Sequence, residues 1–173
     1  IEEIEANRNG LIDLFYINIT GEITFSNNTF NNLTFNGTNC QFYGIDLTSS
    51  SNDIECNSNT IGNSDSDNII INGDTDHYMI YISISSGKTA TLSSNIIQEI
   101  NCSNSGTNNQ LHLLNTQGSG TVNISSNQFR HITSTSNYST TAIYGLYQNN
   151  TGLNNIISKN RFNDFEVSTT SAT

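Results

Sequence analysis

The sequence predicts an all-β fold, a parallel β-helix solenoid of about five coils, on three observations. An asparagine-centred unit recurs at intervals of 31 to 36 residues, apolar residues alternate with period two ahead of each asparagine, and β-branched and aromatic residues dominate the apolar stock. Helical spacing at three and four is not sustained over ten residues anywhere, and Asn, Ser and Thr are poor helix-interior residues, so helical repeats are excluded.

The unit reads apolar, two small or polar residues, Asn, any residue, apolar, then two polar residues and a closing apolar one. Four copies are clear: Phe25-Ser26-Asn27-Asn28-Thr29-Phe30 closing on Leu33, Leu92-Ser93-Ser94-Asn95-Ile96-Ile97 on Ile100, Ile124-Ser125-Ser126-Asn127-Gln128-Phe129 on Ile132, and Ile157-Ser158-Lys159-Asn160-Arg161-Phe162 on Phe165. Cys56-Asn57-Ser58-Asn59-Thr60-Ile61 is a weaker fifth that lacks the closing residue. The gaps between the marked asparagines are 31, 36, 32 and 33 residues, which is a solenoid period.

Along the chain, Ile1-Glu2-Glu3-Ile4 has the phase of Ile97-Gln98-Glu99-Ile100 and is followed by an apolar strand from Leu11 to Ile19, so the chain is expected to open in the middle of a coil. Ile23 with Phe25, and Val122 with Ile124, give one apolar face to the short strand before the asparagine. The coil beginning near Thr89 shows the full pattern. A strand runs to Ser94, the chain turns at Asn95, a second strand passes Ile97 to Ile100, a loop follows through Gln110, and a third strand covers Leu111 to Asn115 before a turn at Gly118 to Gly120. Gly21, Gly87, Gly118, Gly120 and Gly152 recur near that turn, where positive φ suits glycine. The helix is expected to occupy residues 1–167 and a Ser/Thr-rich tail residues 168–173. No helix or proline-bearing segment is placed to cap either end, and bare solenoid ends leave unpaired strand edges.

These units resemble the right-handed parallel β-helix of the pectate-lyase-like superfamily, in which a turn asparagine repeated from coil to coil stacks into a ladder. The resemblance implies that Asn28, Asn59, Asn95, Asn127 and Asn160 form that ladder, each amide bonding its neighbour about 4.8 Å away along the axis. It covers nearly the whole chain at the level of fold and says little about function. The competing readings of the same residues are an antiparallel sandwich with asparagine turns and a disordered Asn/Ser tract.

Apolar residues make up 34% of the chain and charged residues 12%, with no proline. A net charge of −10 with five Lys and Arg excludes nucleic acid as a partner, because phosphate neutralisation needs clustered cations. No apolar run reaches the length of a membrane span. Cys40, Cys56 and Cys102 lack zinc-site spacing; Cys56 takes an inward apolar position, while Cys40 and Cys102 are expected in loops on one corner, with a bridge between them left open. Sequons occur at Asn18, Asn27, Asn32, Asn36, Asn101, Asn123, Asn137 and Asn149, and none falls on an inward or ladder position, so all eight are expected to be open to N-linked glycans.

The superfamily's enzymes act on polysaccharides with calcium-holding carboxylate clusters, an arginine base or paired aspartates. Here the arginines and lysines do not sit with a dense acidic cluster, and the paired-aspartate motif with Gly-His-Gly is missing. Asp164 and Glu166 beside Arg161 read as a solvated edge. The best calcium candidate is Asp65, Asp67, Asp74 and Asp76, whose spacing does not match a twelve-residue calcium loop. His77, His112 and His131 have no nucleophile partner at a recognisable spacing. Phe15, Tyr16, Tyr43, Tyr78, Tyr81, Tyr144 and Tyr147 fall on one strand of successive coils, as stacked core or as an outward stripe for sugar or for lateral contact between fibres.

The expectation is therefore a non-catalytic extracellular or cell-surface protein, structural or adhesive, glycosylated, without a cofactor, and self-associating end to end as a segment or subunit of a fibre. A pectate-lyase-like polysaccharide-active enzyme and a carbohydrate-binding module that recognises a surface carbohydrate are the alternatives.

Overall fold

A computed structural model describes residues 4–7, 10–37, 39–65, 68–104, 110–136 and 141–169. The described chain is a β-solenoid of about five turns whose strands lie on three faces and pair only in parallel. The entry face leads into the asparagine corner and holds Ile23–Ser26, Ile54–Asn57, Thr89–Ser93, Thr121–Ser125 and Ile156–Ser158. Beyond the corner, the exit face stacks Ile4–Asn7, Leu33–Asn36, Ile69–Asn72, Ile96–Asn104, Gln128–Ser136 and Arg161–Thr169, with the two-residue strands Thr29–Phe30 and Thr60–Ile61 beside them. The flank is made of Gly10–Ile19, Cys40–Ser49, His77–Ile84, Gln110–Gly118 and Ala142–Asn150.

The repeated unit stacks column on column. Phe25, Cys56, Leu92, Ile124 and Ile157 are in register, as are Phe30, Ile61, Ile97, Phe129 and Phe162. The closing column is Leu33, Ile69, Ile100, Ile132 and Phe165, so Ile69 supplies the apolar residue missing from the weak copy. Ile61 to Ile69 spans eight positions where Phe30 to Leu33 spans three, and those five extra residues account for the 36-residue gap. Ile4 pairs with Leu33, which places it in the closing column, the phase expected of it.

At every asparagine corner the preceding residue is left-handed: Asn27, Ser58, Ser94, Ser126 and Lys159 have φ between 56° and 61°. A non-glycine residue there costs roughly 1 kcal/mol, and the hydrogen bonds it enables offset that strain. The turned residue's own N–H still reaches the next coil, as in Ser94 N to Ser125 O at 3.1 Å. The asparagine's N–H instead finds an asparagine side chain: Asn28 N, Asn59 N, Asn95 N and Asn127 N each donate to the Oδ1 of the next ladder residue at 2.9 to 3.1 Å. The same Oδ1 accepts from the preceding Nδ2, and the Nδ2 atoms of Asn59, Asn95, Asn127 and Asn160 also donate back to the carbonyls of Phe25, Cys56, Leu92 and Ile124. Stacking thus satisfies polar groups that would otherwise be orphaned inside the wall.

Two features differ from the sequence reading. Cys40 and Cys102 lie in strands, not loops, and with Cys56 they are buried thiols facing the core. Burial pushes the Cys56 thiol up to about 12. Ser168 and Thr169 pair with Thr135 and Ser136, so the last strand runs past the expected end of the helix at 167, and residues 170–173 lie outside the described chain.

Candidate functional site

The flank carries the densest chemistry. In each of its central strands two consecutive residues point inward, Gly44 with Ile45, Met79 with Ile80, and Leu113 with Leu114, all buried. That doubled inward step bends the strand and brings the outward side chains on either side of it together. One outward row is Asp13, Tyr43, Tyr78, His112 and Tyr144; the other is Tyr16, Asp46, Tyr81, Asn115 and Tyr147.

In the first row Tyr43, Tyr78, His112 and Tyr144 stack with ring centroids 4.6, 4.7 and 4.8 Å apart and planes within 20°. Their faces are therefore spent on one another. Tyr81 stands at 80° and 81° to Tyr43 and Tyr78, and Tyr147 at 89° and 77° to His112 and Tyr144. Tyr81 and Tyr147 are therefore in perpendicular contact with the stack beside them, an arrangement aromatic rings favour. Phe15 turns inward instead, against Phe25 and Phe30. The aromatic set thus divides into one core ring and an outward stripe.

Burial, with the nearby Asp13 charge adding to it, pushes the Asp46 carboxyl up to about 6, while a hydrogen bond from Thr48 opposes the shift. Burial raises Asp13 and lowers His112 to about 4, so His112 is a neutral member of the stack. Asp46 Oδ1 and Asn115 Oδ1 are buried and have no hydrogen-bond partner.

The other predicted residues are dispersed. Asp65 bonds with Asn63, and Asp76 Oδ1 accepts from Gln110 N at 3.1 Å, bracing the next coil. Asp67 lies outside the described residues, and among those described no three His, Cys, Asp or Glu side chains converge on a metal position. Of the sequons, Asn18, Asn27, Asn32 and Asn149 are exposed, whereas Asn36, Asn101 and Asn123 are half-buried and Asn137 lies outside the described residues. Asn36 Oδ1 accepts from Asn72, and Asn123 Oδ1 is shielded from solvent, because both side chains line up with neighbours on adjacent coils.

His77 is fully buried, accepts from Phe42 N at 3.3 Å through Nδ1, and is held near 4 by burial. His131 sits on the exit face between Glu99, in close contact, and Asp164 at 3.1 Å. Glu99, His131 and Asp164 are all left-handed, a second turned column that sequence reading missed because its residue types differ from coil to coil. Asp164 thus contacts His131 while remaining exposed, at an edge where Arg161 and Glu166 are exposed as well.

The last coil is the second distinctive surface. Ile157, Phe162, Phe165 and Val167 occupy the columns that are almost wholly buried lower in the stack, yet are 49%, 48%, 36% and 47% exposed. Two open hollows lie at this corner, one lined by Ser126, Gln128, Lys159, Asn160 and Arg161 and the other reaching Phe129, Phe162 and Asn163. No protein-family model, curated protein or solved structure matches the chain.

Proposed function

We propose that this chain is a section of an extracellular structural or adhesive β-helix rod, glycosylated on its exposed sequons, in which copies stack end to end. The carrying observation is the last coil: residues identical in role to the buried columns below them stand half exposed, above a strand edge and a ladder both in register to receive another coil. Covering Ile157, Phe162, Phe165 and Val167 would stabilise the junction by about 1 to 2 kcal/mol per side chain, and parallel pairing would extend each sheet without a change of register. At the opposite end Ile19, in register with the buried Ser49, is exposed, so stacking joins two different surfaces and generates a filament, not a closed pair. Non-catalytic function fits this reading, since a rod needs a repeating wall instead of a single cleft. The tyrosine stripe is the surface that an adhesive role would use.

Electron microscopy of the purified chain tests the proposal, with rods of constant width that lengthen with concentration as the expected result. A Phe162→Ser/Phe165→Ser variant, altered only at exposed positions, keeps its β circular dichroism and stays short. A single sharp monomer in sedimentation at high concentration would overturn the stacking.

A further inference from the structure

The lower end of the tyrosine stripe combines charge and rings in a way that rod building does not require. Tyr16 and Tyr81 flank Asp46 on successive coils, and in the neighbouring row Asp13 pairs in register with Tyr43. The two carboxylates are near enough for the Asp13 charge to act on Asp46, and among the described residues no Lys or Arg pairs with either. Asp46 keeps a buried oxygen without a partner. Tyr81 stands nearly perpendicular to Tyr43 and Tyr78, with ring centroids 5.4 and 5.7 Å away. Farther along the same row Asn115, 5% exposed, also holds an unpartnered Oδ1.

We propose that Asp13, Tyr16, Tyr43, Asp46 and Tyr81 form a binding site for an organic cation, an alkylammonium or guanidinium group. A cation relieves the repulsion between the carboxylates, gives Asp46 Oδ1 the N–H donor it lacks, and lies against tyrosine faces, which attract positive charge. A neutral sugar supplies only the donor and leaves the repulsion in place. A calcium ion needs six or more oxygen ligands, and two carboxylates walled by rings fall short of that set.

The titratable and polar groups facing Asp46 are Asp13, Tyr16, Tyr43, Tyr81 and the Thr48 hydroxyl. Cation binding should therefore weaken as pH falls through about 6, where Asp46 takes up a proton.

The chain has seven tyrosines and no tryptophan, so tyrosine emission and ring proton shifts report on the site directly. Titration with butylammonium and with butylguanidinium at neutral pH is expected to saturate and to shift the resonances of Tyr81 and Tyr16, with butanol, calcium and a neutral linear oligosaccharide as comparators. Asp46→Asn should weaken cation binding roughly tenfold, as expected for loss of a charge-assisted partner, and Tyr81→Ala should also weaken it, whereas Tyr147→Ala should leave it unchanged. A short Lys/Arg peptide binding far more tightly than the single cations would identify a basic protein segment as the source, and equal affinity would identify a small free cation. Oligosaccharide binding as tight as that of the cations, cation binding indifferent to Asp46→Asn in a variant with unchanged circular dichroism, or no saturable response to either cation would overturn the assignment.

Discussion

Replacing Asn95 with alanine strikes the middle of the ladder, where the cost can be worked from four contacts. Asn95 is buried; its Oδ1 accepts from Asn59 N and Asn59 Nδ2, both at 3.0 Å, and its Nδ2 donates to Cys56 O at 2.8 Å and Asn127 Oδ1 at 3.0 Å. Alanine leaves the Asn59 main-chain N–H without its acceptor, strips Asn59 Nδ2 of one acceptor while it keeps Phe25 O, and removes the side-chain donor to the Cys56 carbonyl, whereas Asn127 Oδ1 keeps the main-chain N–H of residue 95. At about 1 to 3 kcal/mol per orphaned buried group, with some relaxation, the loss is about 4 kcal/mol. The same change at Asn160 removes the acceptor for Asn127 and the donor to Ile124, but at the half-buried end of the stack, where water can substitute, and should cost about 1 kcal/mol. Urea unfolding followed by circular dichroism gives both numbers; with a slope of about 2 to 3 kcal/mol per molar, Asn95→Ala lowers the midpoint by roughly 1.3 to 2 M. Equal midpoints for the two variants, or a loss under about 1 kcal/mol at Asn95, would refute the reasoning that stacked amides, not side-chain size, make the corner.

Three further outcomes follow from the same geometry. The His77 imidazole is held near 4 in the fold against about 6.5 unfolded, so the unfolded state binds the extra proton; stability is full above about 6.5 and falls by about 3 kcal/mol as pH drops to 4, and His77→Gln should flatten that acid limb in pH-dependent unfolding. Gly118→Ala places a Cβ 2.2 Å from Ile84 O at φ +105° and should cost more than 2 kcal/mol, whereas Gly87→Ala, at φ +74° with open space around it, should cost about 1, as thermal melts will show. The three cysteines should resist an aromatic disulfide reagent in the folded protein and react together on unfolding, since burial keeps Cys56 protonated and closes access to all three.

Much of the architecture was legible because a solenoid repeats its physics. Each coil needs the same inward residues and the same corner, so Asn28, Asn59, Asn95, Asn127 and Asn160 announce the stack in one dimension. The weak copy lacks its closing residue in the linear pattern because five inserted residues carry Ile69 away from the position that Leu33 takes in the first copy. The small ladders of Asn32 with Asn68 and Asn36 with Asn72 escaped notice because they involve single pairs of coils and no third copy marks the period. The flank was harder. Nothing in simple alternation tells that Gly44 with Ile45 and Met79 with Ile80 both face inward, and without that bend the tyrosines fall on the wrong sides of the strand. Burial of Asn123 was likewise invisible, since a residue pointing outward can still be shielded by neighbours above and below it.

Parallel, in-register stacking of the corner asparagines is tested most directly by nuclear magnetic resonance of the side-chain amides. The Asn59, Asn95 and Asn127 amide protons should exchange slowly with solvent and show contacts to the next asparagine in the series, while those of Asn27 and Asn149 exchange at once. Rapid exchange at Asn59, Asn95 and Asn127 alike, or inter-strand contacts that pair Leu92 with residues running in the opposite direction, would contradict the account.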